Sequence, residues 1–462
     1  MFRTIQNLRH FIRTAYGNSK NSYGPARPPE LPYQGALQGN GAAGFSWTGI
    51  SSPLIESMRS LGHGYTTSAA LTGTPTKFVC FTFVDDCDLD VSGQPDHSAA
   101  SLTLARQQAL DDWDGLLRIT GGALEKLKSY WYHIDYSYRN GKWRYIPPAH
   151  LPGNISLLND HTKTKEPIER LHVTSACKSL GIYTRPDGGM TEEKNHLRKL
   201  AETLASSLRT AHIRTPDAWY CVNSTILKSI EYPLTMTTFT KEECNSIMAP
   251  ILKAILPAVR VQRNLPRVLV YAPLRYQGLG IQDPWILQLI EHIHVFLRHG
   301  ATDSIMGKLQ RTNIEHLTLE LGSATPFWEL DYNVWGHIAT KSWLTSTWRD
   351  ACILGLILRG PTSLPSLARG SDIFLMDQFV SYGFRTEELQ ILNEVRMYKK
   401  AVLLSDISSA DGLLLLPSAF DVEPSRSSPY TWPRCSRPSS HHITFWANSL
   451  KRCFLPAQTS HL

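Results

Sequence analysis

The stretch that most constrains this chain is Phe78-Val79-Cys80-Phe81-Thr82-Phe83-Val84, which runs directly into Asp85-Asp86. Its Phe and Val content predicts a buried strand over 77–84, with Asp85, Asp86, Asp88 and Asp90 at or just past its end. Adjacent carboxylates repel, and keeping both ionised beside a core is costly without a cation. A divalent metal relieves that repulsion, and oxygen ligands suit magnesium. In two-metal phosphoryl transfer such carboxylates hold the ions that stabilise attacking and leaving oxygens. Three other readings stand beside this one. A calcium loop from Asp88 has Asp90, Ser92 and Gly93 in register but Ala99 where a Glu belongs. An Asp-rich diphosphate-binding helix fits poorly after a strand-like run. An acid-rich solvated turn is the reading this stretch favours when taken alone.

The flanking segments supply periodic elements. Residues 1–16 read as a basic amphipathic helix, with Phe2, Ile5, Leu8, Ile12 and Ala15 near one face. A surface helix is preferred there over a transit peptide. A Gly/Pro-rich loop leads to a helix from about Phe45 to Leu61. Another helix is expected over 101–118, with Leu102, Leu104, Leu110, Trp113 and Leu117 facing the core. Asn140-Gly141 between aromatic, alternating runs predicts a hairpin. A short strand follows in "LHVTSACKSLGIYT", before a turn at Pro186-Asp187-Gly188. The second half is helical in pattern. Leu197, Leu200, Leu204 and Leu208 recur at helical spacing, Thr215-Pro216 reads as an N-cap and first position, and Thr240 with Glu243 forms a capping box. Helical periodicity continues to about residue 410. From Pro417 the chain is rich in Pro and Ser and reads as a loose tail.

At 462 residues, 42% hydrophobic and with 12 Trp, the chain is long and apolar enough to fold. Its net charge of +7 is unevenly placed. Residues 1–29 carry Arg3, Arg9, Arg13, Lys20 and Arg27 without an acid, and residues 244–282 carry Lys253, Arg260, Arg263, Arg267 and Arg275 without one. Two such runs flanking an acidic centre suggest a phosphate-backbone track, although either alone is an ordinary solvated surface. The eight Cys form no CxxC pair, which argues against a zinc site or disulfide framework and favours a reducing compartment, nucleus or cytoplasm. No run of about 18 apolar residues occurs, so no membrane-spanning helix is expected. His292, His294 and His299 do not share one helix face, so packing is the preferred reading of "HIHVFLRH".

The order of landmarks resembles that of the reverse transcriptases of non-LTR retrotransposons. "FVDD" is similar to the family's metal-binding strand-turn-strand signature, and "LQGNGAAGFSWTGISSPLI" upstream resembles its Gln-Gly segment and following helix. "GGALEKLKSYWY" resembles the next palm motif, and "KSLGIYTRPDGG" the Leu-Gly turn from palm to thumb. The resemblance implies an α+β fold: an incomplete polymerase palm, an antiparallel sheet with helices, followed by a mainly helical thumb and C-terminal region. It implies that Asp85 is the firm Mg2+ ligand with Asp86 less direct, and that Gln38 and Gly39 lie against nucleotide and template. Lys128 would protonate or neutralise the departing pyrophosphate, or else be a surface lysine. Arg260, Arg263, Arg267 and Arg275 would grip the duplex backbone without sequence specificity. The implied partners are an RNA template, a DNA primer and dNTP. "RYQGLGI" bears a weaker likeness to a segment beyond the thumb.

One departure bears on activity. The family's first palm Asp and its fingers belong before the helix at 1–16, where this sequence starts at Met1. Asp88 and Asp90 follow too closely on one strand to replace a facing one. The expectation is therefore a retroelement-derived fragment, inactive by itself, or a non-catalytic nucleic-acid-binding remnant, or a sequence started too late within a longer, active product. Its expected parts are a partial palm over 1–146, a connector and palm–thumb turn over 147–189, a helical thumb-like region over 190–350, a helical extension over 351–416, and the loose tail over 417–462.

Overall fold

Two-stranded ribbons cannot bury both faces, so each needs helices or loops to cover its apolar side. Every sheet among the described residues is such a ribbon. The computed structural model describes residues 43–83, 86–93, 97–120, 122–139, 142–159, 162–211, 213–357, 367, 370–410, 413–421, 423 and 428–454. The fold is α+β, with small, mostly antiparallel sheets and many helices. The helix expected over 1–16 lies outside the described residues. The chain divides into two units, one of Met1–Tyr65, Phe78–His133 and Pro148–Leu171, the other of Thr66–Lys77, Ile134–Pro147 and His172–Leu462.

The first unit is built on two helices, α1 (Ala43–Ser60) and α2 (Ala99–Ile119). Strands β1 (Tyr65–Ser68) and β2 (Pro75–Phe78), which apart from Tyr65 and Phe78 belong to the second unit, precede in sequence a hairpin of β3 (Cys80–Phe83) and β4 (Asp86–Leu89). The single strand expected over 77–84 is thus broken at Val79, where the chain changes pairing partner and buries the Val side chain to 2% exposure. Leu54 and Met58 of α1, Val79, and Ala109, Trp113 and Leu117 of α2 form one core, with Cys80, Cys87 and Leu89 packed against it. Ser98 caps α2 by accepting from Ser101 N at 3.1 Å. Leu104, expected inside, is exposed. It lies nine positions before Trp113, about two and a half helical turns, and so on the opposite face.

A second sheet layer leans on α2. Strand β5 (Tyr130–Tyr132) pairs in parallel with β10 (Glu169–Leu171), after the antiparallel pair β8 (Ser156–Leu158) and β9 (Lys165–Pro167). Gln107 of α2 ties β8 down, accepting from Ser156 N at 2.7 Å and donating to Ser156 O at 2.9 Å. Trp131, Ile155, Leu157 and Ile168 are the buried side chains beneath.

The second unit contains the expected aromatic hairpin, β6 (Tyr136–Arg139) and β7 (Lys142–Tyr145), and the hairpin β11 (Cys177–Ser179) and β12 (Ile182–Thr184). Asn140 and Gly141 lie outside the described residues. Helices α3 (Thr191–Thr210), α4 (Thr215–Cys221), α5 (Leu227–Leu234), α6 (Lys241–Ala258) and α7 (Arg267–Tyr271) follow. Leu197 and Leu208 of α3 are buried as expected, whereas Ala201 and Ala205 take the fully buried places between them. Their small side chains let α3 lie close on α6, and Leu200 and Leu204 pack at the edge. The capping box at Thr240–Glu243 forms as expected. At α4 the cap is Arg214 instead of Thr215, a one-residue shift of the helix start.

The remaining helices are α8 (Pro284–Gly300), α9 (Ile305–Leu321), α10 (Tyr332–Trp335), α11 (Trp343–Ile353), α12 (Leu375–Ser381), α13 (Thr386–Lys399) and α14 (Ser440–Phe454). One core runs from Phe296 through Trp348, Phe379 and Leu392 to Trp446, so the boundary expected at 350 falls inside continuous packing. The loose tail expected over 417–462 is likewise corrected in part. Ile443, Trp446, Leu450 and Cys453 share one buried helical face, and Trp446 Nε1 donates to Ala419 O at 3.0 Å. That periodic face carries the helix into the core despite the Pro and Ser around it. The segment Thr66–Lys77 belongs to this unit, and Leu71 N and Thr72 N each donate to the Glu315 carboxylate at 2.9 Å.

The histidines of α8 part as expected from their spacing. His292 is buried, with Nδ1 3.0 Å from Thr347 Oγ1, while His294 is exposed. Burial pushes the His292 pKa from 6.5 down to about 4. The unfolded chain therefore takes up a proton that the folded one refuses between pH 6.5 and 4. Stability should be full above the higher value and fall by up to about 3 kcal/mol toward the lower one. Urea titrations at several pH values should show that slope flattened in His292→Gln. Trp446→Ala should cost about 3–5 kcal/mol by the same measurement, because the cavity would open inside the shared core.

Candidate functional site

In the β3–β4 hairpin Cys80 pairs with Leu89, Phe81 with Asp88, Thr82 with Cys87 and Phe83 with Asp86. Directly opposed residues share a face, so Cys80, Thr82, Cys87 and Leu89 turn toward the helices. Phe81, Phe83, Asp86 and Asp88 line the other side, where Phe81 is 44% and Phe83 61% exposed. Leu54, Met58 and Trp113 hold the inner face, which sets the direction of the outer one. The register leaves Val84 and Asp85 as the only link between the strands. Both lie outside the described residues, as do Gln38 and Gly39.

The carboxylates along β4 differ in what surrounds them. Asp90 stands at the base of the hairpin, where its amide donates to Val79 O at 3.2 Å. Burial raises its pKa, the Arg106 guanidinium opposes that rise, and the Asp88 charge adds to it. Arg106 itself donates to Tyr132 O at 2.6 Å. Asp88 is raised by partial burial first and by the Asp86 charge second. Asp86 is exposed at the end of the ladder and makes no ion pair with a described residue. On the inner face the Cys80 and Cys87 side chains are hydrogen-bonded, which lowers the Cys80 pKa and raises that of Cys87. All eight cysteines are free.

An exposed, unneutralised, oxygen-only set is chemically suited to a hard cation such as magnesium. Among the described residues no group of three or more His, Cys, Asp or Glu is placed to hold a metal, and Asp85 is not among them. Lys128 ends a short 3-10 turn, Lys126–Lys128, that Glu125 caps by accepting from Leu127 N at 3.1 Å. Lys126 is taken up by Glu166, whereas Lys128 is exposed and pairs with no described acid. The structure therefore does not join Lys128 to Asp86.

The arginines named from the sequence lie in the second unit, after α6. Arg260 has left-handed backbone (φ 61°), Arg263 sits in the loop, Arg267 opens α7, and Arg275 lies in a turn at Leu274–Tyr276. All are exposed, and none pairs with an acid among the described residues. The loop is held firmly nevertheless. Leu279 N donates to Leu269 O at 2.9 Å, Gly280 N to Ala272 O at 2.9 Å, and a Cβ on Gly278 would meet Ala272 O at 2.1 Å. That collision explains the "QGLG" spacing: only Gly lets the returning chain come so close. Val268 and Leu274, between Arg267 and Arg275, and Tyr276 just after them are exposed, and Arg275 lies 4.8 Å from the Tyr276 ring centroid. Sequence reading missed these three, although apolar residues inside a run of arginines were the available signal. The expected Leu-Gly turn is the tight link of β11 and β12. Leu180 and Gly181 both have positive φ there, 49° and 89°, and Tyr232 Oη donates to Leu180 O at 2.8 Å.

No family model matches the chain, and no curated protein or solved structure matches it either. No described helix is long and apolar enough to cross a membrane.

Removing the charge of Asp86 should lower the Asp88 pKa toward its ordinary value, though not fully, because burial remains. Carboxyl 13C titration of Asp-labelled protein, comparing the native chain with Asp86→Asn, measures this. An unchanged Asp88 would mean that the two carboxylates do not share a field.

Proposed function

We propose that the chain is a relative of reverse transcriptases, in which Asp85 and Asp86 hold magnesium at the hairpin tip and the arginine segment holds the backbone of an RNA–DNA template–primer duplex. The observation that carries this reading is the register Phe83↔Asp86, which leaves a two-residue link inside "FVDD". A strand-turn-strand at that motif is what the resemblance implies, and it sets the acids at the end of a ribbon braced by α1 and α2. Magnesium bound there would neutralise the carboxylates and draw in the phosphates of dNTP. Gln38 and Gly39 belong to the nucleotide and template side of this reading, and Lys128 to the leaving pyrophosphate. The palm and thumb identities of the two regions are part of the same proposal.

The carboxylates of this reading, Asp85 and Asp86, are adjacent in sequence with no facing partner assigned, so the 462-residue chain by itself should bind template–primer without extending it. A role as a non-catalytic nucleic-acid-binding protein gains support from the exposed, unpaired arginines alone. Fluorescence anisotropy with an RNA–DNA duplex should give salt-dependent binding. Replacing Arg260, Arg263, Arg267 and Arg275 by Gln should reduce the slope of log affinity against log salt by up to about 4. Binding with no salt dependence, or unchanged in the variant, would remove the arginines from the reading. Primer extension run alongside should yield no product. Product that disappears in Asp85→Ala would overturn the inactivity and support the catalytic assignment.

A further inference from the structure

The β6–β7 ribbon is not used by that function, and its composition is unusual for a surface hairpin. Tyr136 pairs with Tyr145 and Tyr138 with Trp143, at ring-centroid separations of 4.8 and 5.3 Å. Directly opposed residues share a face, so all four rings stand on one side. Tyr136 is 49%, Tyr138 42% and Trp143 48% exposed. The alternate register positions are Ser137↔Arg144 and Arg139↔Lys142, and Arg144 is exposed. From Tyr136 to Tyr145 the segment contains Arg139, Lys142 and Arg144 and no acid. Among the described residues the ribbon has no third strand. Stacking between opposed rings stabilises the hairpin, but it uses only the sides where they meet and leaves their outer surfaces in water.

We propose that this ribbon is a stacking platform for single-stranded nucleic acid. Aromatic faces accept any base, and nearby cations hold the phosphates. Successive rungs lie two residues apart, roughly 7 Å along the strand. That is about twice the 3.4 Å rise per stacked base in a duplex strand, so the rungs fit bases that have come apart. A ribbon about 5 Å wide is narrow enough for a long arginine side chain to reach phosphates passing its edge. Three cations against the single acid at its base, Asp135, whose Oδ1 accepts from Tyr136 N at 2.7 Å, set it apart from a purely apolar protein-docking face, which would carry no excess of one sign. The platform does not depend on catalysis or on the arginines beyond α6.

The test uses the full chain and a fluorescein-labelled oligouridine of about 12 nucleotides, with an RNA–DNA duplex as control. The double substitution Tyr138→Ala and Trp143→Ala should weaken oligouridine binding by about 10-fold or more, while duplex binding changes less than about 2-fold. Tyr138→Phe with Trp143→Phe should retain most of the affinity, since the π faces remain. Arg144→Gln leaves the rings in place and should lower the single-strand salt slope by about 1. Photocrosslinking of 5-bromouridine-substituted oligomer to the native chain should map to Tyr138 or Trp143, which keeps the result independent of whether the double variant folds. Crosslinks elsewhere, equal losses on both probes, or self-association lost in the variants with oligouridine affinity unchanged would overturn the proposal. Loss of duplex binding on changing the distant arginines, with these results intact, would count against the template–primer reading alone.

Discussion

The packing of one hairpin face on two helices governs what the first unit can present. Val79, Cys80, Cys87 and Leu89 are drawn toward Met58, Leu54 and Trp113, and strand periodicity then obliges Asp86 and Asp88 to point away. A slip of one residue in register would exchange the faces and bury two carboxylates against Trp113. The cost of that burial makes the observed register strongly preferred. The acids therefore stand in water because the apolar residues between them are claimed by the core.

The charge pattern follows from that geometry. Asp90, nearest the core, has Arg106 in its field, whereas Asp88 has chiefly the like charge of Asp86. Negative potential consequently builds toward the open end of the ribbon. In the second unit, positive charge is displayed on a loop whose backbone is locked by Gly278 and Gly280, so its arginines stand on a rigid support. Held in this way, a charged side chain loses less backbone entropy on meeting a partner.

Periodicity made much of this legible. The helix from Ala43, the helix from Ala99, the Thr240 capping box and the aromatic hairpin all follow from local rules that need only neighbours in sequence. Where reading failed, a distant partner decided. Leu104 is apolar but faces water because Trp113 orients α2. Ala201 and Ala205 outrank the leucines beside them because α6 comes close to α3. Ser440–Phe454 reads as tail by composition, yet Trp446 finds Ala419 and the aromatic core around Phe379.

For the candidate site the division is similar. The residue types alone carry the pairing of an apolar strand with carboxylates and the acid-free run of arginines, since both are properties of order along the chain. Which carboxylate keeps a cation nearby, which arginines stay unpaired, and which rings of the Tyr and Trp hairpin remain open to water depend on groups far apart in sequence. Those were settled only in the tertiary structure, because burial and electrostatic fields are sums over spatial neighbours that no local pattern contains.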